Sequence, residues 1–461
     1  MKAIGTLKTR NTREIGQSRI SVGFECYDRD LFDPEMCYDR VAESGAKFAR
    51  CQTGWARTET VRGQYDFAWL DAVVDNLLER GVTPWFNVGY GNPLYMPDAP
   101  NPTAVGCVPT LYGEETVAAW CRYVTALCHH FADRVTHYEV WNEPDLSHFW
   151  YPEKPSGQKF GEFYKLTAGV IRAVLPEAKL GFCTSESRGE YLKAIFEQIT
   201  PEELDFLCIH NYDRKLELGS RYVGSYSGYD FCRELLGRYG LDHVEMWMGE
   251  GGHASWHPVG HSQCREGGGS EHRQAVWILR RIFGDFRKNL RLSSVFMIVD
   301  LWQKPYQMAQ KVQKKPAAQG LLHGITYQPK QGFYAFSRLG TALGGDTLPA
   351  LSDLPLALSV PLRNSDPSPV TVSYMHDGQE VYAYWIPYAI EEERGITGRA
   401  AVTLDADSCI KQPVVIDLLD GTVWEPSRDE WNAQTRTVLN LPVGEYPFLL
   451  CDRAAFEIVK K

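Results

Sequence analysis

Short apolar runs alternate with amphipathic stretches between about residues 18 and 340, and this rhythm constrains the fold more than any other feature. In the segment 67–81, for example, Leu70, Val73 and Leu77 share one face of a predicted helix. Eight alternating strand and helix units predict a parallel sheet closed into a (β/α)8 TIM barrel, an α/β fold. The predicted strands cover 18–26, 46–52, 82–90, 135–143, 178–185, 204–212, 243–250 and 293–302.

A doubly wound open sheet is the alternative arrangement of alternating strands and helices. Such a sheet usually carries a glycine-rich phosphate-binding turn after its first strand. The end of the first predicted strand and the residues just after it, GFECYDRD (23–30), contain no such turn. The barrel is therefore the favoured prediction.

The rhythm changes after about residue 345, and at 461 residues the chain is long enough for more than one core. Strand-like runs then follow one another without helical segments, and Asp-Gly pairs at 377–378 and 420–421 predict hairpin turns. We expect a barrel over 18–345, an accessory antiparallel β-sandwich over 346–461, and an N-terminal segment, 1–17, that is a candidate to join the sandwich. The predicted strands of this part are 370–375, 380–388, 400–405, 413–419, 436–441 and 447–452.

Charge and hydropathy exclude several classes of partner. A net charge of −10 argues against nucleic acid, since phosphate binding needs a basic surface. No run approaches the roughly 18 apolar residues of a membrane span, and the N-terminus shows no apolar signal region. The 12 cysteines form no CxxC pair, which predicts reduced thiols and a cytoplasmic protein. A homo-oligomer is compatible with all of this.

Polar and aromatic side chains collect at the predicted ends of the strands, where the chemistry of a (β/α)8 barrel is found. These residues are Glu25, Arg50, Gln52, Asn87, Tyr90, Asn142, Glu143, His210, Tyr212, Glu250, Asp300 and Trp302, with Trp55 just beyond strand two. Glu143 and Glu250 end strands four and seven, three barrel units apart. That spacing predicts two carboxylates facing each other across one barrel mouth.

Paired carboxylates suit glycoside hydrolysis, in which one protonates the leaving oxygen and the other attacks the anomeric carbon or activates water. The neighbouring residue types suit it too. Tryptophans offer flat faces to sugar rings, and Asn, His, Tyr and Arg offer hydroxyl contacts and separate the two pKa values.

Several motifs resemble one clan of retaining barrel glycosidases. They are WNEPD (141–145), MGEGG (248–252) and the run GQYDFAWLDAVVDNLLERGVTPWFNVGYG (63–91). Together they most resemble glycoside hydrolase family 39, the β-xylosidase and α-L-iduronidase family. The resemblance implies a barrel beside a β-sandwich, with no cofactor.

The resemblance also implies roles for matching residues. Glu143 is expected to be the acid/base and Glu250 the nucleophile, while Asn142 holds the sugar 2-hydroxyl. His210 and Tyr212 are expected to support the nucleophile. Arg50 matches the clan arginine after strand two, and Trp302 the aromatic platform of strand eight.

Further substrate contacts are predicted at Trp55, Asn87, Tyr90 and Glu25, where an ion pair between Glu25 and Arg50 or Lys47 is the structural alternative. In the segment 253–264, His253, His257, His261 and Cys264 have a spacing that suggests zinc. Pro258 and Gly260 interrupt any helix that would align them. We therefore expect no metal, and a loop that walls the pocket with Trp256 as an aromatic contact.

The expected function is a retaining exo-glycosidase acting on a carbohydrate substrate, with a β-D-xyloside as the first choice. A uronide, arabinoside, glucoside or galactoside is the alternative substrate. A non-catalytic sugar-binding barrel is a further alternative, but such a protein is expected to have lost one carboxylate, and this sequence keeps both.

Overall fold

The computed structural model describes residues 1–185, 188–212, 216, 228–256, 268–301, 317–349, 353–359 and 367–460. Its first strand, β1 (Lys2–Leu7), precedes the barrel and pairs with strands from the C-terminal part of the chain.

Eight parallel strands then close into a barrel, which confirms the predicted fold. They are β2 (Ile20–Gly23), β3 (Phe48–Gln52), β4 (Thr83–Val88), β5 (His137–Val140), β6 (Lys179–Thr184), β7 (Phe206–His210), β8 (Glu245–Glu250) and β9 (Leu292–Val295). β9 pairs with β2 and completes the ring. Most of their residues are buried, because the barrel interior covers one face of the sheet and the helices cover the other.

Amphipathic helices connect the barrel strands. They are α1 (Tyr38–Glu43), α2 (Trp55–Thr58), α3 (Ala68–Glu79), α4 (Glu114–His130), α5 (Gly157–Val174), α6 (Gly189–Phe196), α7 (Tyr229–Arg238), α8 (Glu271–Arg287) and α9 (Gln331–Ala342). Serines cap two of the long helices: the side chain of Ser156 accepts a hydrogen bond at the start of α5, and that of Ser270 does so at the start of α8. The described part of the chain contains no helix that is both long and apolar enough to cross a membrane.

Large side chains fill the barrel interior below the strand ends. Trp247 stacks on Phe206 with 4.2 Å between ring centroids, and Trp85 meets Trp247 edge-on at 5.4 Å. Cys183 and Cys208 are buried in the same cluster. This packed layer lies directly below the polar residues at the strand ends.

The C-terminal strands and β1 form an accessory β-domain of two antiparallel sheets. The strands are β10 (Thr347–Pro349), β11 (Ala357–Leu358), β12 (Val370–His376), β13 (Gln379–Trp385), β14 (Ile396–Thr403), β15 (Pro413–Asp417), β16 (Thr422–Glu425), β17 (Trp431–Asn432), β18 (Thr437–Gly444), β19 (Phe448–Asp452) and β20 (Ile458–Val459). The larger sheet has the order β10-β12-β13-β19-β15-β16-β1-β20, and the smaller has the order β11-β14-β18-β17. Asp377 and Gly378 both have positive φ and form the turn between β12 and β13.

Helix α8 joins the two parts of the molecule. Phe286 on α8 meets Tyr374 of the β-domain at 5.4 Å between ring centroids. Close by, Arg280 donates a hydrogen bond to the carbonyl of Tyr388 at 2.7 Å. The barrel and the β-domain therefore share a continuous buried seam.

Candidate active site

The ends of β5 and β8 bring Glu143 and Glu250 together. Glu250 is the last residue of β8, and Glu143 lies three residues beyond the end of β5. A carboxylate oxygen of Glu143, a carboxylate oxygen of Glu250 and a ring nitrogen of His210 all lie within 4.8 Å of one another. The side chains are mostly covered, with 10% of Glu143 and 13% of Glu250 exposed.

The backbone that presents Glu143 is unusual. β5 ends at Val140 rather than at Glu143 as predicted, because Trp141 (φ 67°) and Glu143 (φ 41°) both adopt left-handed backbone conformations. Such conformations disfavour non-glycine residues and persist where the surroundings enforce them. Here the Nδ2 of Asn87 donates to the carbonyl of Trp141 at 2.6 Å, and the amide of Glu143 points to the Sγ of Cys183 at 3.2 Å.

Asp145 ties this loop to the next strand. Its Oδ1 accepts a hydrogen bond from the amide of Ser185 at 2.9 Å, just after β6. The Asp145 side chain is fully buried, and the Nε of Arg188 lies 3.7 Å from its Oδ2. The residues on both sides of Glu143 are thus fixed.

Arg50 on β3 organises the carboxylates from beneath. It is fully buried, and its Nη1 donates to Glu250 at 2.8 Å and to Glu25 at 3.1 Å. Its Nη2 donates to the Oδ1 of Asn142 at 2.9 Å and to Glu139. Burial alone would lower the pKa of Arg50, but the surrounding carboxylates raise it well above its usual value. The guanidinium is therefore a permanent positive charge.

Two further side chains hold the acids from above. The hydroxyl of Tyr212 donates to the Oε1 of Glu250, so both oxygens of Glu250 accept a hydrogen bond. Burial, followed by the charge of Glu250, raises the pKa of Tyr212 well above its usual value, which keeps this phenol protonated. The Nδ1 of His210 lies 2.9 Å from the Oε1 of Glu143 and 3.6 Å from the Oε2 of Glu250. Burial lowers the pKa of His210, so the imidazole is neutral near pH 7.

Glu139 belongs to this site but was not among the predicted residues. Its Oε1 accepts hydrogen bonds from Arg50 and from the Nδ2 of Asn87, the latter at 2.6 Å. Inward and outward side chains alternate along a barrel strand. A charged residue at an inward position of β5 was the sequence signal that could have identified it.

Asn87 and Tyr90 lie beside the carboxylates rather than in the open mouth. Asn87 is fully buried and bonds to Glu139 and Trp141, which makes it a support for the acids. Tyr90 is nearly buried, its hydroxyl accepts a hydrogen bond from Gln52 at 3.1 Å, and its ring meets Trp141 edge-on.

Two of the predicted substrate contacts, Trp55 and Glu25, lie buried in the structure. Gly54, with positive φ, turns the chain after β3 and sends Trp55 into the core, where it is fully buried and stacks on Tyr95. Glu25 is 1% exposed and accepts a hydrogen bond from Arg50, the partner named in the structural alternative. Lys47 instead donates to the carbonyl of Thr12.

Of the predicted aromatic contacts Trp256 and Trp302, the structure describes Trp256. Trp256 is 38% exposed beyond the end of β8, whereas Trp302 lies outside the described residues. His253 is buried, with its Nδ1 at 2.9 Å from the carbonyl of Ala254. The other residues of the suggested zinc spacing, His257, His261 and Cys264, also lie outside the described part of the chain.

Among the described residues, two triplets of side chains have ligand atoms close enough to hold a metal ion. They are Glu139, Cys183 and His210, and Glu143, His210 and Glu250. The guanidinium of Arg50 donates to Glu139 and to Glu250 and so brings a fixed positive charge to both triplets. A cation would be repelled there, and the donor set fits acid–base chemistry better.

Comparisons with known proteins agree with the barrel fold. Residues 33–225, which span β3 to β7, match the glycosyl hydrolases of family 39. A β-xylosidase of Geobacillus stearothermophilus is 27% identical over 169 residues, which is 33% of this chain and 31% of that enzyme. The match thus spans about a third of the relative's length.

Two solved structures share the fold across nearly the whole chain. One is a family 39 glycoside hydrolase from the gut symbiont Bacteroides cellulosilyticus WH2, with a TM-score of 0.68, 16% identity, and coverage of 94% of this chain and 81% of that one. The other is a GH30 endoxylanase from Clostridium papyrosolvens C71, with a TM-score of 0.58, 12% identity and 97% coverage of both chains. The match over residues 33–225 confirms the resemblance to family 39 for this part of the chain, which includes WNEPD (141–145).

Proposed function

We propose that this protein is a retaining glycoside hydrolase with Glu143 as acid/base and Glu250 as nucleophile. The observation that carries the proposal is the separation of less than 4.8 Å between carboxylate oxygens of the two residues. Retaining enzymes hold their carboxyl groups about 5–5.5 Å apart, whereas inverting enzymes need about 6.5–9.5 Å to place a water between them.

In the first step, an oxygen of Glu250 attacks the anomeric carbon and forms a glycosyl ester. The bond to the leaving oxygen breaks, and Glu143 donates its proton to that oxygen. The neutral His210 can accept a hydrogen bond from protonated Glu143 through its Nδ1, at the observed distance of 2.9 Å. This contact holds the acidic proton in the site until the substrate arrives.

In the second step, water attacks the anomeric carbon and the electron pair returns to Glu250. Glu143, now a carboxylate, takes the proton of the water. Arg50 and Tyr212 are already placed to donate hydrogen bonds to the departing carboxylate. Donors that are fixed before the reaction need no reorganisation when the charge returns.

We assign to Asn142 the role of holding the sugar 2-hydroxyl. Its Oδ1 accepts the hydrogen bond from the Nη2 of Arg50, which assigns oxygen and nitrogen in the amide. The NH2 group is then the part that would donate to the substrate. Contacts to this hydroxyl strengthen in the transition state.

A β-D-xyloside is the substrate that we propose first, with exo cleavage. The support is the β-xylosidase relative, whose alignment includes only about a third of each chain. A uronide, arabinoside, glucoside or galactoside remains the alternative. A panel of nitrophenyl glycosides decides among these sugars, and binding without release of nitrophenol from any of them would instead indicate a sugar-binding protein.

The decisive experiment replaces the nucleophile. Glu250→Ala is expected to lower kcat by at least about 10³-fold, since no ester can form. Added azide should restore turnover and yield a glycosyl azide. Glu245→Ala is the matched control, because Glu245 is an exposed acid on the same strand. An active Glu250→Ala enzyme without azide would disprove the assignment.

A further inference from the structure

We propose that Glu25 is a positioning residue that sets how much of the Arg50 charge reaches the nucleophile, and thereby controls release of the sugar from Glu250. The proposal rests on the retaining mechanism above and adds a residue and a control to it. It follows from the sharing of one guanidinium nitrogen by two carboxylates.

Nη1 of Arg50 is the shared nitrogen, at 2.8 Å from Glu250 and 3.1 Å from Glu25. The other terminal nitrogen, Nη2, is held by Asn142 and Glu139. These two contacts to Nη2 hold the guanidinium in place. It therefore cannot shift toward Glu25 or toward Glu250, which both contact Nη1. Glu25 and Glu250 compete for the same positive charge.

The second oxygen of Glu25 has no hydrogen-bond partner among the described residues. This Oε2 is folded back over β2, where a Cβ at Gly23 would lie only 2.1 Å from it. Glycine at position 23 thus leaves the space that the carboxyl group occupies. A buried carboxyl group whose second oxygen has no donor from another described residue is less stable as an anion, although the backbone amide of Glu25 itself favours the charged form.

The electrostatics agree with this geometry. Burial raises the pKa of Glu25, Arg50 opposes that effect, and the charge of Glu250 raises the pKa further, to about 8. At neutral pH Glu25 is mostly protonated, and the Arg50 charge is directed to Glu250. Above about pH 8 Glu25 is ionised and takes part of that charge.

The other described titratable groups that act on Glu25 do not ionise in this range. Besides Arg50 and Glu250, the described groups that act on it are Tyr212, Cys26 and Cys51. Burial raises the pKa of Cys26 to about 12, and the pKa values of Cys51 and Tyr212 lie well above their usual ranges. A transition near pH 8 or below is therefore assigned to Glu25.

The effect of Glu25 on the nucleophile can be measured in the glycosyl-enzyme. Glu250 is then an uncharged ester, so its repulsion is lost and the pKa of Glu25 falls below that in the free enzyme. An ionised Glu25 holds the Arg50 charge and repels the negative charge that returns to Glu250 when the ester bond breaks. Hydrolysis of the intermediate should consequently slow as pH rises through the pKa of Glu25.

The experiment follows that single step. A 2,4-dinitrophenyl 2-deoxy-2-fluoroglycoside, with the sugar of the best panel substrate, traps the glycosyl-enzyme, and its reactivation rate is measured from pH 5 to 9.5. Glu143 acting as a base gives only an ascending limb. We expect the wild type to show in addition a descending limb with a midpoint below about pH 8 and a fall of roughly tenfold, as one added like charge would cause.

Two variants test whether Glu25 causes the descending limb. Glu25→Gln keeps the shape of the side chain but cannot ionise, so its descending limb should disappear. Glu139→Gln is the matched control, because Glu139 holds the other guanidinium nitrogen, and it should retain the limb. Circular dichroism checks that each variant is folded, and Glu25→Ala replaces Glu25→Gln if the latter is not.

The outcomes separate the two proposals. If the wild type accumulates no glycosyl-enzyme, the retaining function itself fails, and the role of Glu25 fails with it. If the intermediate forms but its reactivation has no descending limb, only the role of Glu25 is refuted. The wild-type profile alone can give this result, so the test does not depend on a variant that folds. A limb that persists in Glu25→Gln refutes that role as well.

Discussion

At the scale of single residues, the buried pair of Arg50 and Glu139 supports the whole candidate site. Glu139 is fully buried and bonds to Arg50 and Asn87, which in turn contact Glu250, Asn142 and the loop before Glu143. Removing one partner of a buried ion pair leaves an incompletely compensated charge in the interior.

We therefore predict that Glu139→Ala lowers the free energy of unfolding by about 3–5 kcal/mol. Glu139→Gln should cost clearly less, because an amide oxygen still accepts hydrogen bonds from Arg50 and Asn87. Urea denaturation followed by tryptophan fluorescence measures both values. Equal losses for the two variants would show that the cavity, rather than the unpaired guanidinium, dominates.

Sequence reasoning proposed most of the residues that the structure brings together around the two glutamates. Residues at the strand ends could be predicted as site residues because the strand ends form the mouth of a barrel. Glu139 was not predicted because it lies inside β5, below the strand ends at which catalytic residues are expected. The burial of Trp55 and the contact of Glu25 with Arg50 depend on the turn at Gly54 and on the packing of one guanidinium, and neither can be read from local sequence.

At the scale of elements, the C-terminal end of β8 packs closely against the end of β7. A Cβ at Gly249 would lie 2.9 Å from the Cβ of Cys208 and 3.2 Å from the Nε2 of His210. The pairing of β7 with β8 also shifts register between Cys208 and His210. Glycine at position 249 thus lets the strand that carries Glu250 approach His210.

Gly249→Ala is expected to displace His210 or Glu250 by a few tenths of an ångström and to lower kcat by about 10- to 100-fold. KM should change much less, since the variant alters alignment rather than sugar contacts. Gly169→Ala in α5 is the control, because a Cβ there meets no atom within 4 Å. An unchanged kcat in Gly249→Ala would show that the strand end tolerates the added methyl group.

The start of β5 contains a histidine that makes stability depend on pH. Burial, then the charge of Lys179, lowers the pKa of His137 from 6.5 to about 4. Between these values the unfolded chain binds a proton that the folded chain excludes, so stability falls as pH decreases from 6.5 to 4, by up to about 3 kcal/mol.

His137→Phe should remove this part of the acid destabilisation, because its ring can still pack against Trp247 and Phe206. Unfolding free energies at pH 7 and pH 4.5 measure the difference. The control is His129→Phe on the exposed face of α4, which should keep the wild-type dependence on pH. A His137→Phe variant with the full wild-type dependence would rule out this origin.

Periodicity predicted the eight barrel strands but overestimated their lengths. Each predicted strand is longer than the one observed, as for 135–143 against β5 (His137–Val140). The apolar and aromatic residues that follow a strand look like strand residues in sequence. Whether the chain stays extended there depends on backbone conformations such as those of Trp141 and Glu143, which tertiary contacts impose.

At the scale of the whole molecule, α8 belongs to both parts of the fold. Along α8 most side chains are buried, including charged ones such as Arg280 and Asp285. Its Phe283 and Phe286 contact Trp385 and Tyr374 of the β-domain. If the β-domain unfolded alone, this apolar face of the barrel would be exposed to water, which is unfavourable. The two parts should consequently stabilise each other.

We predict a single calorimetric unfolding transition for the full chain. Phe286→Ala at the seam and Phe182→Ala in the barrel wall, where Phe182 packs against Phe160, should each lower its midpoint without splitting it, since each removes a buried aromatic ring. Phe182 is the informative position because it lies on β6, away from the seam. Two resolved transitions, with Phe182→Ala moving only one of them, would show that the barrel and the β-domain unfold independently.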